Sequence, residues 1–134
     1  MAVILIVEDE MFIRQSAEWT MEDLGHAPLV ASDLAEALAH LSESQPIDAL
    51  FVDIRLGRLE MGGYDVANQA IALRPHLAVL YTSGSPLTAA IQNQFVAGGR
   101  FLEKPYSPKQ LTTAVEELLH QQLDRSQTRA PVVS

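Results

Sequence analysis

Four short apolar runs each stop on polar residues of the kind that handle phosphate: VILIV onto Glu8 and Asp9, ALFV onto Asp53, AVLY onto Thr82 and Ser83, and RFLE onto Lys104 and Pro105. If these runs are neighbouring parallel strands, all of those side chains meet at one edge of one sheet. Three carboxylates crowded together repel strongly unless a divalent cation or a lysine neutralises them, so the set predicts a hard-metal site with a cationic partner. A phosphoryl group is the natural guest for such a site. Taken singly, each element has a plainer reading. Glu8 and Asp9 could be solvated charges at a helix start, Thr82 and Ser83 turn residues, and Lys104-Pro105 a strand exit. Their convergence at four strand ends favours chemistry.

Alternating strands and helices must position them. Residues 3–7 are continuously apolar, the pattern of a strand buried on both faces. Ile13, Ala17, Met21 and Leu24 recur at helical spacing from Met11, and Gly25 supplies a stop. A weak strand through Ala27–Val30 precedes Asp33 and Glu36, a capping box for a helix to about Ser42. Ala49–Val52 is a third strand, and a helix follows from about Tyr64 to Leu73 before Pro75. Leu77–Tyr81 is a fourth strand; Ser85 and Pro86 then read as the N-cap and first turn of a helix reaching about Val96. Gly98 and Gly99 turn the chain into a short fifth strand, and S-P-K-Q from Ser107 to Gln110 caps a last helix to about Leu123. This alternation predicts an α/β fold with an open, mostly parallel sheet covered by helices on both faces. Ligands in such sheets bind beyond the carboxyl ends of the strands, where every residue of the opening set falls.

Composition narrows the function classes. The 134 residues suit one domain, with residues 124–134 as a polar tail without periodicity. A formal charge of −8 with no Lys/Arg cluster disfavours nucleic acid and anionic membranes as partners. The absence of cysteine removes disulfides and thiolate metal sites, so a metal must sit on oxygen. The first apolar run is only a strand's length and lacks a basic flank, which argues against a signal peptide or membrane span and leaves the cytoplasm as the expected location.

The motifs VILIVEDE, FVDIRL, YTSG and FLEKPYS, in that order, resemble those of response-regulator receiver domains of two-component signalling, over about residues 2–123. The resemblance implies a flavodoxin-like doubly wound sheet of five parallel strands in the order 2-1-3-4-5, with five helices. It implies that Asp53 is the phosphoacceptor, and that Asp9, Asp53 and the backbone carbonyl of Arg55 bind Mg²⁺, with Glu8 acting through metal-bound water. Ser83 and Lys104 are then expected to contact the phosphoryl oxygens, and Phe101 is expected to be the aromatic switch residue coupled to Ser83. A member of this family is a phosphoacceptor that assists its own phosphorylation and dephosphorylation rather than an enzyme in the ordinary sense. The expected partners are a histidine kinase or histidine phosphotransfer protein and a downstream protein target, with a phosphorylation-dependent dimer left open.

The residue types make chemical sense of these roles. A carboxylate can act as nucleophile in forming a phosphoryl-enzyme, and a nearby Mg²⁺ and Lys104 favour its ionised form. Mg²⁺ is favoured over Zn²⁺ because only oxygen ligands are offered, and over Ca²⁺ because two or three carboxylates with waters suit an octahedral ion. The loop after Asp53 departs from the family pattern: Gly57 stands where proline is usual, and the loop is about two residues longer. Glu8 replaces the more frequent aspartate. Strand alternation must decide whether Thr82 or Ser83 faces the phosphate.

Other classes predict other patterns. A haloacid-dehalogenase-type phosphatase would show DxD, but Arg55 occupies the second acid's place; a pseudo-receiver serving only as an interaction module should have an incomplete acid cluster; nucleotide-binding domains would show GxxxxGK[ST] or GxGxxG. His26, His40, His76 and His120 are scattered without metal spacing and read as surface or packing residues rather than phosphocarriers. Phe12 and Trp19 are expected to pack on a helix face, and Met61 to Gly63 to form a flexible turn.

Overall fold

The computed structural model describes residues 1–57 and 62–129, with the side chains of 122–129 left aside. Five parallel strands, β1 (Val3–Val7), β2 (Ala27–Ala31), β3 (Ala49–Asp53), β4 (Ala78–Ser83) and β5 (Arg100–Glu103), form one sheet in the order β2-β1-β3-β4-β5. The helices are α1 (Met11–Asp23), α2 (Leu34–Ser42), α3 (Gly62–Leu73), α4 (Ala89–Gln92) and α5 (Pro108–Arg129). This is the doubly wound arrangement that the sequence pattern and the resemblance imply.

The continuous apolar strands divide between two cores because successive side chains point to opposite faces. Leu5, Val7, Leu50, Val52, Val79 and Tyr81 meet α2 and α3 on one face. Ile4, Ile6, Phe51 and Leu80 meet Ala17 and Met21 of α1 and Leu111, Val115 and Leu118 of α5 on the other. Among the described residues no helix is long and apolar enough to cross a membrane.

Local signals set most boundaries. Asp33 accepts the Glu36 N–H at 2.8 Å, while the Glu36 carboxylate takes both the N–H and the hydroxyl of Ser32 at 2.6 Å, one residue beyond the expected box. Ser107 and Gln110 bond reciprocally, at 2.8 and 3.1 Å, as S-P-K-Q predicts. His40 bonds the Val30 carbonyl oxygen at 2.9 Å and His26 accepts the Ala2 N–H at 3.0 Å, so both serve packing.

Four expectations require correction. The helix expected from Pro86 to Val96 is only Ala89–Gln92, capped by Thr88 rather than Ser85, and none of its residues is buried. A turn with only Ile91 half-buried against the core lacks the tertiary packing that extends short helices. Conversely, α5 runs past Leu123 to Arg129, because an established helix propagates through polar residues of fair propensity; residues 130–134 lie outside those described. Phe12 and Trp19 are 74% and 58% exposed: the buried stripe of α1 is Ala17, Thr20 and Met21, and residues 12 and 19 lie off it. Met61 lies outside the described residues, but Gly62 and Gly63 open α3 as buried residues rather than forming a flexible turn.

Gly63 has no room for a side chain. Its N–H donates to the Ile54 carbonyl oxygen at 2.8 Å, and a Cβ there would collide with the Asp53 carbonyl oxygen and stand 2.6 Å from Ile54 Cα. The opposing atoms are backbone and cannot swing away. Gly63→Ala is expected to lower stability by about 1–3 kcal/mol, as overpacking of a filled site does, and urea unfolding measures it.

Candidate functional site

Parallel pairing brings the strand ends into line. Asp53 stands in register with Thr82, and Ser83 with Glu103. Beyond the register the backbone knits on: Glu8 N–H donates to Ala31, Ile54 N–H to Thr82 and Lys104 N–H to Ser83, at 3.0, 2.9 and 2.8 Å. By strand alternation Glu8 and Asp53 follow the parity of the α1/α5 face, and both are buried.

The Lys104 ammonium joins them. Its Nζ donates to Glu8 Oε1 at 2.7 Å and to Asp53 Oδ2 at 2.8 Å, with all three side chains largely withdrawn from solvent. Each carboxylate uses its second oxygen on backbone. Glu8 Oε2 accepts the Glu10 N–H at 3.1 Å and Asp53 Oδ1 the Arg55 N–H at 3.0 Å. Asp9 is exposed and is held from across the cleft, its Oδ2 accepting the Gly57 N–H at 3.0 Å. Gly57 has a φ of +57°, a conformation natural to glycine, and it supplies an N–H that a proline there would lack. Arg14 Nη1 donates to the Glu8 carbonyl oxygen at 2.9 Å and so pins the turn bearing the acids.

Glu8, Asp9 and Asp53 offer ligand atoms that all lie within 4.8 Å of one another. With all three ionised, three negative charges face one ammonium, a surplus of two (3 − 1) that a divalent cation balances. The donors are hard carboxylate oxygens throughout. The set therefore fits Mg²⁺, with Glu8, Asp9 and Asp53 the side chains that would surround it.

At the end of β4 the two hydroxyls part. Thr82 Oγ1 donates to the Leu102 carbonyl oxygen at 2.7 Å and so ties β4 to β5. Ser83, on the opposite parity, accepts the Ser85 N–H at 3.1 Å and lines a cavity of about 410 Å³ shared with Ile54, Arg55, Tyr64 and Ile91. Ser83 thus faces open space beside Arg55, and Thr82 does not. Phe101, in register with Tyr81, is half-buried, with its ring centroid 6.2 Å from that of Phe95. Gly63, expected in a flexible turn, instead lets α3 start directly against the Asp53 backbone; the G-G pair was the available signal.

With this geometry in view, comparison with known proteins identifies the class. The family model described as "Response regulator receiver domain" matches residues 4–116, and the chain belongs to that family. It is 34% identical over 117 residues to the alginate biosynthesis transcriptional regulatory protein AlgB of Pseudomonas aeruginosa, covering 87% of this chain and 25% of AlgB. Protein PilG of the same species is 27% identical over 118 residues, covering 84% of each chain. A crystal structure of a response regulator receiver protein from Sinorhizobium medicae superposes with a TM-score of 0.80 at 30% identity, covering 90% of this chain and 96% of that one. The chain spans about a quarter of the length of AlgB.

Burial is the largest influence on Glu8 and, with the Asp53 charge, outweighs the Lys104 hydrogen bond, pushing its carboxyl from 4.5 to about 7. Burial also works against the Lys104 ammonium, but its hydrogen bonds to Asp53 and Glu8, with their charges, outweigh it and hold Lys104 above the usual lysine value. Between 4.5, where the unfolded chain's carboxyl ionises, and about 7, the folded protein retains a proton on Glu8 that the unfolded chain has released. In metal-free buffer this group therefore makes stability fall as pH rises through that window. Glu8→Gln is expected to flatten the slope, as read by urea unfolding across the window in the presence of EDTA; an unchanged slope counts against the assignment.

Proposed function

We propose that the chain is a phosphorylation-dependent switch in which Asp53 takes a phosphoryl group from a histidine kinase or histidine phosphotransfer protein. The observation that carries this reading is the Lys104 ammonium bonded at once to Glu8 and Asp53, with Asp9 alongside. An Asp53 oxygen attacks phosphorus, the P–N bond of the phosphohistidine breaks, and the imidazole leaves with the electron pair. Asp9, Asp53 and the Arg55 carbonyl would hold Mg²⁺, with Glu8 acting through a water, and the ion would supply charge neutralisation at one phosphoryl oxygen. Lys104 pairs with a second phosphoryl oxygen and the Ser83 hydroxyl donates to a third. Positioning and charge account for most of phosphoryl transfer, so little other machinery is needed. The same groups assist hydrolysis of the phosphoryl group by water.

Phosphorylation adds up to about two negative charges at Asp53. Ser83 is drawn toward them, Phe101 turns inward, and the surface around α4, Phe101 and Tyr106 presents a different face to a downstream protein or to a second copy of the chain. Residues 1–123 form the receiver, 124–134 are an appendage, and the protein acts in the cytoplasm. The complete acid cluster weighs against a module that only binds partners. Arg55, exposed at the position of a second acid, weighs against a phosphatase.

The donor docks on the face that carries Phe12. A groove of about 530 Å³ runs beside Lys104, lined by Phe12 and Ile13 of α1 and by Pro105 and Tyr106. Solvent-facing Met11, Phe12 and Trp19 extend the apolar surface along α1. The Tyr106 ring packs edge-on to Phe51 at 5.8 Å and gives the groove a firm floor.

Two experiments separate chemistry from docking. Incubation with acetyl phosphate and Mg²⁺ is expected to add one phosphoryl mass, lost with EDTA and in Asp53→Ala; no added mass, or addition that survives the substitution, overturns the acceptor. Against a panel of histidine kinases, Phe12→Ala is expected to slow phosphotransfer about tenfold, the effect of losing one apolar anchor, while leaving acetyl phosphate labelling unchanged. Equal slowing with both donors removes the docking role.

A further inference from the structure

The segment joining β4 to β5 touches the sheet sparingly. Residues 84–90 are exposed, and the apolar side chains that reach inward before Gly99 are Ile91, Phe95 and Val96, each only half-buried. One fully buried side chain, Tyr81 of β4, holds the far end of this segment at three points. The Phe95 ring stacks on it with centroids 4.1 Å apart and planes 13° from parallel. The Val96 N–H donates to its hydroxyl at 2.9 Å. Gly99 lies so close that a Cβ there would come within 2.8 Å of Tyr81 Cε2.

The stack lies between the two halves of the switch. Tyr64, on the cavity beside Ser83, is 5.9 Å from Tyr81 and 6.4 Å from Phe95. Phe101 also neighbours Phe95, 6.2 Å away with planes 21° apart. Phe95 therefore lies against β4 within ring-contact distance of Phe101.

We propose that Phe95 is the lock of the switch: stacked on Tyr81 it bars Phe101 from β4, and phosphorylation of Asp53 is coupled to its release. This rests on the reading of Asp53, Ser83 and Phe101 given above. The coupling runs through the start of the same segment. Ser85 N–H donates to Ser83 Oγ, so a Ser83 hydroxyl turned onto a phosphoryl oxygen draws residue 85 with it. The cavity of about 410 Å³, lined by Ile91 and Gln94 from this segment, gives it room to move inward. That shift slides Phe95 off Tyr81 and delivers an aromatic ring to the surface, where a partner can take it.

Fluorine NMR of the full chain carrying 4-fluorophenylalanine tests the lock, since its four phenylalanines, Phe12, Phe51, Phe95 and Phe101, are assignable by single Phe→Leu variants. On loading with acetyl phosphate and Mg²⁺, with occupancy read by intact mass, the Phe95 and Phe101 resonances are expected to move together. The Phe95 signal should also gain an H₂O/D₂O solvent shift. In Phe95→Ala the unloaded Phe101 signal is expected near its loaded position, with acetyl phosphate labelling several-fold faster because the locked state no longer competes. Phosphoryl mass with an unmoved, unexposed Phe95 overturns the lock alone. Absence of phosphoryl mass overturns the acceptor reading and the lock with it. Should Phe95→Ala fail to fold, the solvent shift in the unsubstituted chain decides.

Discussion

One ammonium group holds the acid cleft together. Without the Lys104 Nζ, Glu8 and Asp53 would be two buried carboxylates at neighbouring strand ends, each desolvated and each repelling the other. Its pull is still insufficient to return Glu8 to an ordinary carboxyl, whose proton is retained to about pH 7. Burial is the main reason for that retention, and with all three carboxylates ionised the cleft carries two negative charges more than the ammonium balances. That residual negative charge suits the site to a divalent cation, and the cation in turn suits it to a phosphoryl group.

The strand order makes this bridge demanding. Lys104 follows β5, Asp53 ends β3 and Glu8 follows β1, so the side chain must pass over the end of β4 and reach the next two strands. Neighbouring strands lie about 4.8 Å apart, which only a long, flexible stem can cover. β4 ends in Ser83 followed by Gly84, and these small residues leave the path open. Thr82 fastens β4 to β5 just below, through its bond to Leu102, and so fixes the base from which Lys104 extends.

Much of this was legible in the sequence because it depends on short-range rules. Continuous apolar runs mark strands buried on both faces, alternation with helices marks a parallel sheet, and parallel strands place their carboxyl ends together. The strand order came from the motif resemblance, since alternation alone does not say which strands are neighbours. The misread parts were those where tertiary contacts decide. Ser85-Pro86 is a sound helix start, but nothing beneath it rewards a helix; Thr88 caps a single turn, and the chain bends to put Phe95 on Tyr81. Phe12 and Trp19 look like core residues by type. Only the phase of α1, set by Ala17 and Met21, leaves them on the outside. Gly63 reads as a turn residue until the Asp53 backbone is seen against it.

β4 is where chemistry and response meet, for a reason as simple as the two-residue period of a strand. Tyr81 and Ser83, two apart, share a face, so the ring that clasps the 84–99 segment and the hydroxyl beside the acid cleft are adjacent on one rigid rod. The rod itself cannot readily shift, being paired on both sides and buried along its length. On the proposed function, a new charge at Asp53 would therefore act on what is loosely attached to it. The segment leaving Ser83 fits that description: it is exposed for seven residues from Gly84, opens onto a cavity and is retained chiefly by aromatic contacts. Rigidity at the acid cleft and looseness one connection later are complementary requirements, since a site that deformed to accept its ligand would have little interaction energy left to move anything else.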